Sequence, residues 1–207
     1  MAGVAIYLAS ASPRRREILL QLGIAHAVLP QDVDEARLPG EAPKDYVSRL
    51  ARAKAEAAFA ALGGAGQAAC LGSDTTVVCD GVLFEKPLDE ADAQRMLTAL
   101  SGRTHQVLTA VALATATGTQ VLISESAVTF RTLTAAEIHQ YWLTGEPADK
   151  AGAYGIQGLG AMFVTEIKGS YSGIMGLPVM ETVTLLGTVG LTAAHIMEHC
   201  MGQGRDR

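Results

Sequence analysis

Among its 207 residues the chain has three cysteines, Cys70, Cys79 and Cys200, and no CxxC pair. Widely spaced thiols in odd number argue against a disulfide framework or a zinc site and predict reduced side chains in a cytoplasmic setting. Positive charge is also scarce: 16 Lys and Arg stand against 21 Asp and Glu, a formal net charge of −5. That balance argues against a partner held by bulk electrostatics, so no nucleic acid is expected. No apolar run long enough for a membrane span is free of polar interruption. The opening MAGVAIYLASASPRRR has no basic region ahead of its apolar stretch, so it does not read as a secretory leader. The P-loop pattern GxxxxGKS/T is missing, and so is the nucleophile elbow GxSxG. GAYGIQGLG at 152–160 is glycine-rich but does not match a dinucleotide fingerprint between a strand and a helix. With its cysteines widely spaced and no CxxC pair among them, a structural transition-metal site is not expected.

What is present is a globular composition, 49% hydrophobic, without an internal repeat or a linker. One domain over 1–198 is expected, followed by a loose polar tail over 199–207. Val4–Ala9 reads as a strand. Ser12 is placed to cap a helix that starts at Pro13 and stops at Gly23. Ala25–Leu29 reads as a short strand, Gln31–Ala42 as a polar loop, and Pro43–Leu62 as a long helix. Cys70–Cys79 and Val82–Glu85 form a hairpin pattern around Asp80-Gly81. Asp89–Leu100 and Thr134–Leu143 read as helices, the second capped by Thr134, with a long hairpin of Gln106–Ala114 and Gln120–Phe130 between them. Residues 145–178 are the least regular, and Met180–Leu186 returns to helix. Hairpins mixed with solitary strands and helices predict an α/β fold with a mixed central sheet and flanking helices.

Two stretches break local rules. Arg14, Arg15 and Arg16 crowd the first turn of a helix, where the dipole disfavours cations by about 0.3–1 kcal/mol each. They either fan into solvent, pair with acids elsewhere, or meet a bound polyanion that backbone N–H groups and guanidiniums would share. In LGSDTTVV, Ser73, Asp74, Thr75 and Thr76 interrupt an apolar strand. A buried carboxylate there needs a partner, so Asp74 is either a strand-end cap or an acid serving as metal ligand or general base. FEKP at 84–87 brings Glu85 and Lys86, an ordinary exposed pair or a phosphate contact with an orienting acid. Glu35 lies in the acidic loop. Lys54, with Arg49 and Arg52, is expected on the polar side of the long helix. His105, alone on its strand, is more commonly structural than catalytic. Taken together, Glu35, Asp74 and Glu85 with Arg15, Lys54 and Lys86 suit metal-assisted attack on a polyphosphate. The acids would hold a hard cation through oxygen and the cations would offset phosphate charge.

In LASASPRRREILLQLG, GSDTTVV, FEKP, SGRTHQVLTAVAL, DKAGAYGIQGLGAMFV and GLPV, spread over residues 8–179, the sequence closely resembles the Maf family, the septum-formation-inhibitor-like nucleoside triphosphate pyrophosphatases. The resemblance implies two lobes around a deep cleft, an architecture related to inosine-triphosphate pyrophosphatases, and usually a homodimer. It implies cleavage of a nucleoside triphosphate between the α and β phosphates with a divalent cation, Mg²⁺ or Mn²⁺. Asp74 matches the family's proton acceptor. Ser10, Arg15, Lys54 and Lys86 fall at positions used around the triphosphate, and Glu35 where an acid helps with metal or water. Arg14, Thr75 and Gln157 match the pattern of the subfamily acting on dTTP and UTP. The alternatives are the same chemistry on another nucleotide such as 7-methyl-GTP, or a non-catalytic nucleotide-binding regulator of cell division.

Overall fold

The short alternating segment β1 (Ala5–Leu8) buries Ile6 and Leu8 and pairs in parallel with β2 (Ala27–Val28) and with β3 (Ala68–Cys79). The computed structural model describes residues 4–64 and 66–203. β3 turns through Asp80 and Gly81, both at positive φ, into antiparallel β4 (Val82–Phe84). β5 (Thr104–Thr115) and β6 (Gly118–Phe130) are sheet neighbours, and β7 (Val164–Lys168) pairs antiparallel with β6. The result is a mixed seven-stranded sheet in the order β2-β1-β3-β5-β6-β7, with β4 on β3. Parallel and antiparallel pairs coexist, as the sequence pattern predicts.

The helices flanking the sheet follow their end signals. α1 (Pro13–Gln21) begins at its proline and is followed by Gly23, whose φ of 67° ends the turn. Ser12 stands at the N-cap position, but its side chain makes no capping bond; its amide instead donates to Ser10 Oγ at 3.2 Å. α2 (Pro43–Ala61) buries Tyr46, Val47, Leu50, Ala51 and Ala55 along one face. α3 (Glu90–Leu100) is capped by the Asp89 carboxylate and α4 (Ala135–Leu143) by a Thr134–Glu137 capping box. α5 (Tyr171–Met175), α6 (Val179–Gly187) and α7 (Ala193–Gln203) complete the described residues. α7 carries helix through Gln203, into the stretch expected to be a loose tail; 204–207 lie outside the described residues. Among the described residues no helix is long and apolar enough to cross a membrane.

The chain divides into two compact units, and β3, β5 and β6 each contribute to both. The first comprises Met1–Asp74, Ala110–Ile123 and Gly176–Arg207. Its core includes Leu8, Leu19, Leu50, Leu71, Leu113 and Leu185, all at 2% exposure or less. The second comprises Thr75–Thr109 and Ser124–Met175. Its core contains a run of edge-to-face aromatic contacts: His105 and Tyr154 on Phe130, then Phe163 against both Phe130 and Tyr141.

Candidate active site

In the first unit the placement of one lysine follows from one glycine. A Cβ added at Gly72 would overlap the Ala51 carbonyl oxygen and lie 2.6 Å from the Ala55 amide nitrogen. β3 therefore meets α2 backbone to backbone at a position only glycine can fill. Lys54 lies within that contact stretch of α2, on its buried face and not on the polar side that the sequence pattern suggests. Arg49 and Arg52 do take the outer side, pairing with Glu41 and Glu56.

The Lys54 ammonium bridges two carboxylates, with Nζ 2.7 Å from Asp74 Oδ1 and 2.6 Å from Glu35 Oε1. The Asp74 side chain is nearly buried, that of Glu35 about half exposed. The loop carrying Glu35 is tied to α2 where the Tyr46 hydroxyl donates to the Glu35 carbonyl at 3.1 Å. Burial pushes the Asp74 carboxyl above its ordinary range; the charges of Lys54 and Arg15 pull the other way, and Glu35 adds to the rise.

Arg15 folds back onto its own unit. Its Nε donates to the Gly176 carbonyl at 2.8 Å and its Nη1 to Ser10 Oγ at 3.1 Å. Ser73 Oγ lies 2.8 Å from that same carbonyl and 2.8 Å from the Ala110 carbonyl. Burial lowers the Arg15 pKa from its ordinary value, with Asp74 and Glu35 opposing the shift and Arg14 reinforcing it. Ser10, Arg15, Glu35, Lys54 and Asp74 thus belong to one cluster of the first unit. Arg14 is half-buried and Arg16 exposed. The cluster's backbone and serine members, Gly176 and Ser73, carried no assigned role in the sequence. Ser73 was visible there only as one of four polar residues inside an apolar strand.

The second unit holds Thr75, Glu85, Lys86 and Gln157. Thr75 Oγ1 lies 3.0 Å from Thr109 Oγ1. Glu85, Lys86 and Gln157 are exposed. The Gly152 amide donates to the Glu85 carbonyl at 3.0 Å, so the FEKP turn and the glycine-rich stretch are joined through their backbones. His105 is buried, hydrogen-bonded through Nε2 to the Tyr154 hydroxyl at 2.8 Å, and built into the aromatic core, consistent with a structural residue.

Among the described residues no group of three His, Cys, Asp or Glu forms a cage for a metal ion. The donor chemistry still suits a hard cation of the Mg²⁺ class, which characteristically takes one or two carboxylates and completes its shell with substrate phosphates and water. Glu35 and Asp74 are two such carboxylates, already converging on one positive charge.

A family model described as Maf-like protein matches residues 5–189. A dTTP/UTP pyrophosphatase of Saccharophagus degradans is 57% identical over 188 residues, covering 87% of each chain. A dTTP/UTP pyrophosphatase of Pseudoalteromonas translucida is 55% identical over 184 residues, covering 89% of this chain and 96% of that one. Of solved structures, a nucleoside-triphosphatase described as a dITP/XTP pyrophosphatase from Mycobacterium abscessus aligns with 62% of this chain and 75% of its own, at 19% identity and a TM-score of 0.40.

Proposed function

This chain belongs to the Maf family, and on that footing we propose that it hydrolyses dTTP and UTP between the α and β phosphates. The products are the nucleoside monophosphate and pyrophosphate. The observation that carries the reading is the nearly buried Asp74 carboxylate held by Lys54 beside Glu35. An acid lifted above its ordinary pKa by burial is a stronger base than an exposed one, and Lys54 opposes the loss of its charge. Asp74 takes a proton from water as that oxygen attacks the α phosphorus. The bridging oxygen leaves with the bonding electrons on pyrophosphate.

Ser10 and Arg15 are assigned to phosphate oxygens, Lys54 to holding the base, and Lys86 to charge on the departing pyrophosphate. Arg14, Thr75 and Gln157 are assigned to the base. A glutamine amide accepts from N3–H and donates to O4 of uracil or thymine at once, whereas cytosine presents the opposite pattern. A site built for both bonds would leave buried polar atoms unpaired against cytosine.

Glu35 and Asp74 would hold Mg²⁺ or Mn²⁺. Such an ion, when bound, offsets phosphate charge and acidifies coordinated water. Cys70, Cys79 and Cys200 are free, which supports assignment of the chain to the cytoplasm.

Product analysis tests the reading. With Mg²⁺ or Mn²⁺ and a panel of nucleoside triphosphates including 7-methyl-GTP, UMP and dTMP should appear with equimolar pyrophosphate. Orthophosphate as the first product, or equal rates on CTP, would contradict it.

A further inference from the structure

In the second unit a single carboxylate organises the loop that carries Gln157. Glu146 Oε1 accepts from the Tyr141 hydroxyl at 2.6 Å and from the Gly160 amide at 3.0 Å, while Oε2 accepts from the Leu159 amide at 2.8 Å. The Tyr141 hydroxyl oxygen in turn accepts from the Gly155 amide at 3.0 Å. Amides on both sides of Gln157 are therefore fastened to one side chain, directly or through one phenol. Gln157 lies between these anchors and is exposed.

The glycine spacing of the loop matches this arrangement. A Cβ at Gly155 would sit 3.0 Å from Glu146 Oε1, one at Gly158 would overlap the Glu146 carboxylate, and one at Gly160 would lie 2.6 Å from the Tyr141 hydroxyl oxygen. GIQGLG is thus shaped by the carboxylate it wraps. Tyr141 is itself fixed by its edge contact with Phe163, ring centroids 4.9 Å apart. The Lys150 ammonium donates to the Glu146 carbonyl at 2.9 Å and holds the backbone of that residue. Burial alone would raise the Glu146 pKa; the bonds from Tyr141, Gly160 and Leu159 outweigh it and keep the group below its ordinary value.

We propose that Glu146, with Tyr141, is the positioning residue that fixes Gln157 for reading the pyrimidine base, so that base selectivity depends on a carboxylate that need not touch the base. The proposal rests on the assignment of Gln157 to base reading. Glutamine at 146 has the shape of glutamate, but one of its terminal atoms is a donor. In either orientation that donor faces a backbone N–H that the carboxylate accepts from. The loop loses an anchor and the aim of Gln157 loosens, which costs binding more than chemistry.

The test measures kcat and KM for UTP and CTP in the wild type, Glu146→Gln, Tyr141→Phe and Gln157→Ala. Glu146→Gln should raise KM for UTP about tenfold with kcat within about twofold, and lower the UTP-to-CTP ratio of kcat/KM about tenfold. Tyr141→Phe keeps the ring against Phe163 and loses only the phenol link, so it should move the same ratio in the same direction by less. It also carries the test if Glu146→Gln fails to fold. Selectivity lost in Gln157→Ala but retained in Tyr141→Phe and in folded Glu146→Gln would overturn the positioning role alone. Selectivity retained in Gln157→Ala would overturn the base-reading assignment and this inference with it. A fall in kcat at unchanged KM in the position-146 and position-141 variants would also overturn it.

Discussion

Lys54 Nζ lies 2.7 Å from Asp74 Oδ1, with both side chains about nine-tenths buried. Removing one member of such a pair leaves the other charge without compensation, whereas removing both can be nearly neutral. Lys54→Met should therefore cost about 3 kcal/mol in urea unfolding, and the double variant Lys54→Met/Asp74→Asn should recover most of that loss. Additive losses would mean the two groups are not energetically coupled.

Gly72 is where β3 and α2 touch, and a methyl group there meets the backbone of Ala51 and Ala55. Neither neighbour can rotate away. Gly72→Ala should lower stability by about 2–3 kcal/mol or more, a fall in Tm of about 4–12 °C for a chain of this length. It should also displace Lys54 from Asp74 and reduce turnover. A variant with unchanged Tm and activity would show that the strand and helix do not approach this closely.

Burial holds the His105 pKa down to about 4 from an ordinary 6.5. The unfolded chain takes up a proton below pH 6.5 that the folded chain refuses, so this residue's stabilising contribution is present above 6.5 and is lost as pH falls towards 4. At about 1.4 kcal/mol per pH unit, the loss over that interval is about 3 kcal/mol. Denaturant unfolding between pH 7 and 4 should show this slope, and His105→Gln should flatten it. An equal slope in the variant would assign the acid sensitivity to other groups.

Glu35 is the exposed member of the carboxylate pair on Lys54. If it serves as a metal ligand, Glu35→Gln should raise the Mg²⁺ concentration for half-maximal activity about tenfold or more, with activity partly restored by excess metal. An unshifted metal titration with lowered kcat would remove Glu35 from the metal shell.

Much of the architecture was legible because it depends on local signals. Prolines at 13 and 43, the acid at 89, the Thr134–Glu137 box and the Asp80-Gly81 turn all stand at the element boundaries observed. β7 and the helical extent of α7 were not anticipated. β7 is five residues long and largely exposed, so its sequence carries little hydrophobic alternation. Lys54 was misplaced for a physical reason. Helical spacing puts it beside Leu50 and Ala58 on the buried face, but a lysine there makes sense only once Asp74, on a distant strand, supplies the partner. The role of Glu146 was hidden in the same way. Its trace in the sequence is the spacing of glycines in a loop that looks merely irregular until the carboxylate inside it is seen.

Asp74→Asn tests the central claim most directly. The exchange keeps the size of the side chain and a hydrogen-bonding oxygen for Lys54, but removes the base. Turnover of UTP to UMP and pyrophosphate under single-turnover conditions should fall about a thousandfold in the folded variant, with UTP binding by calorimetry little changed and Tm lowered by loss of one charge of the buried pair. A variant that folds, binds UTP and cleaves it at near wild-type rate would contradict the assignment of Asp74 as the proton acceptor.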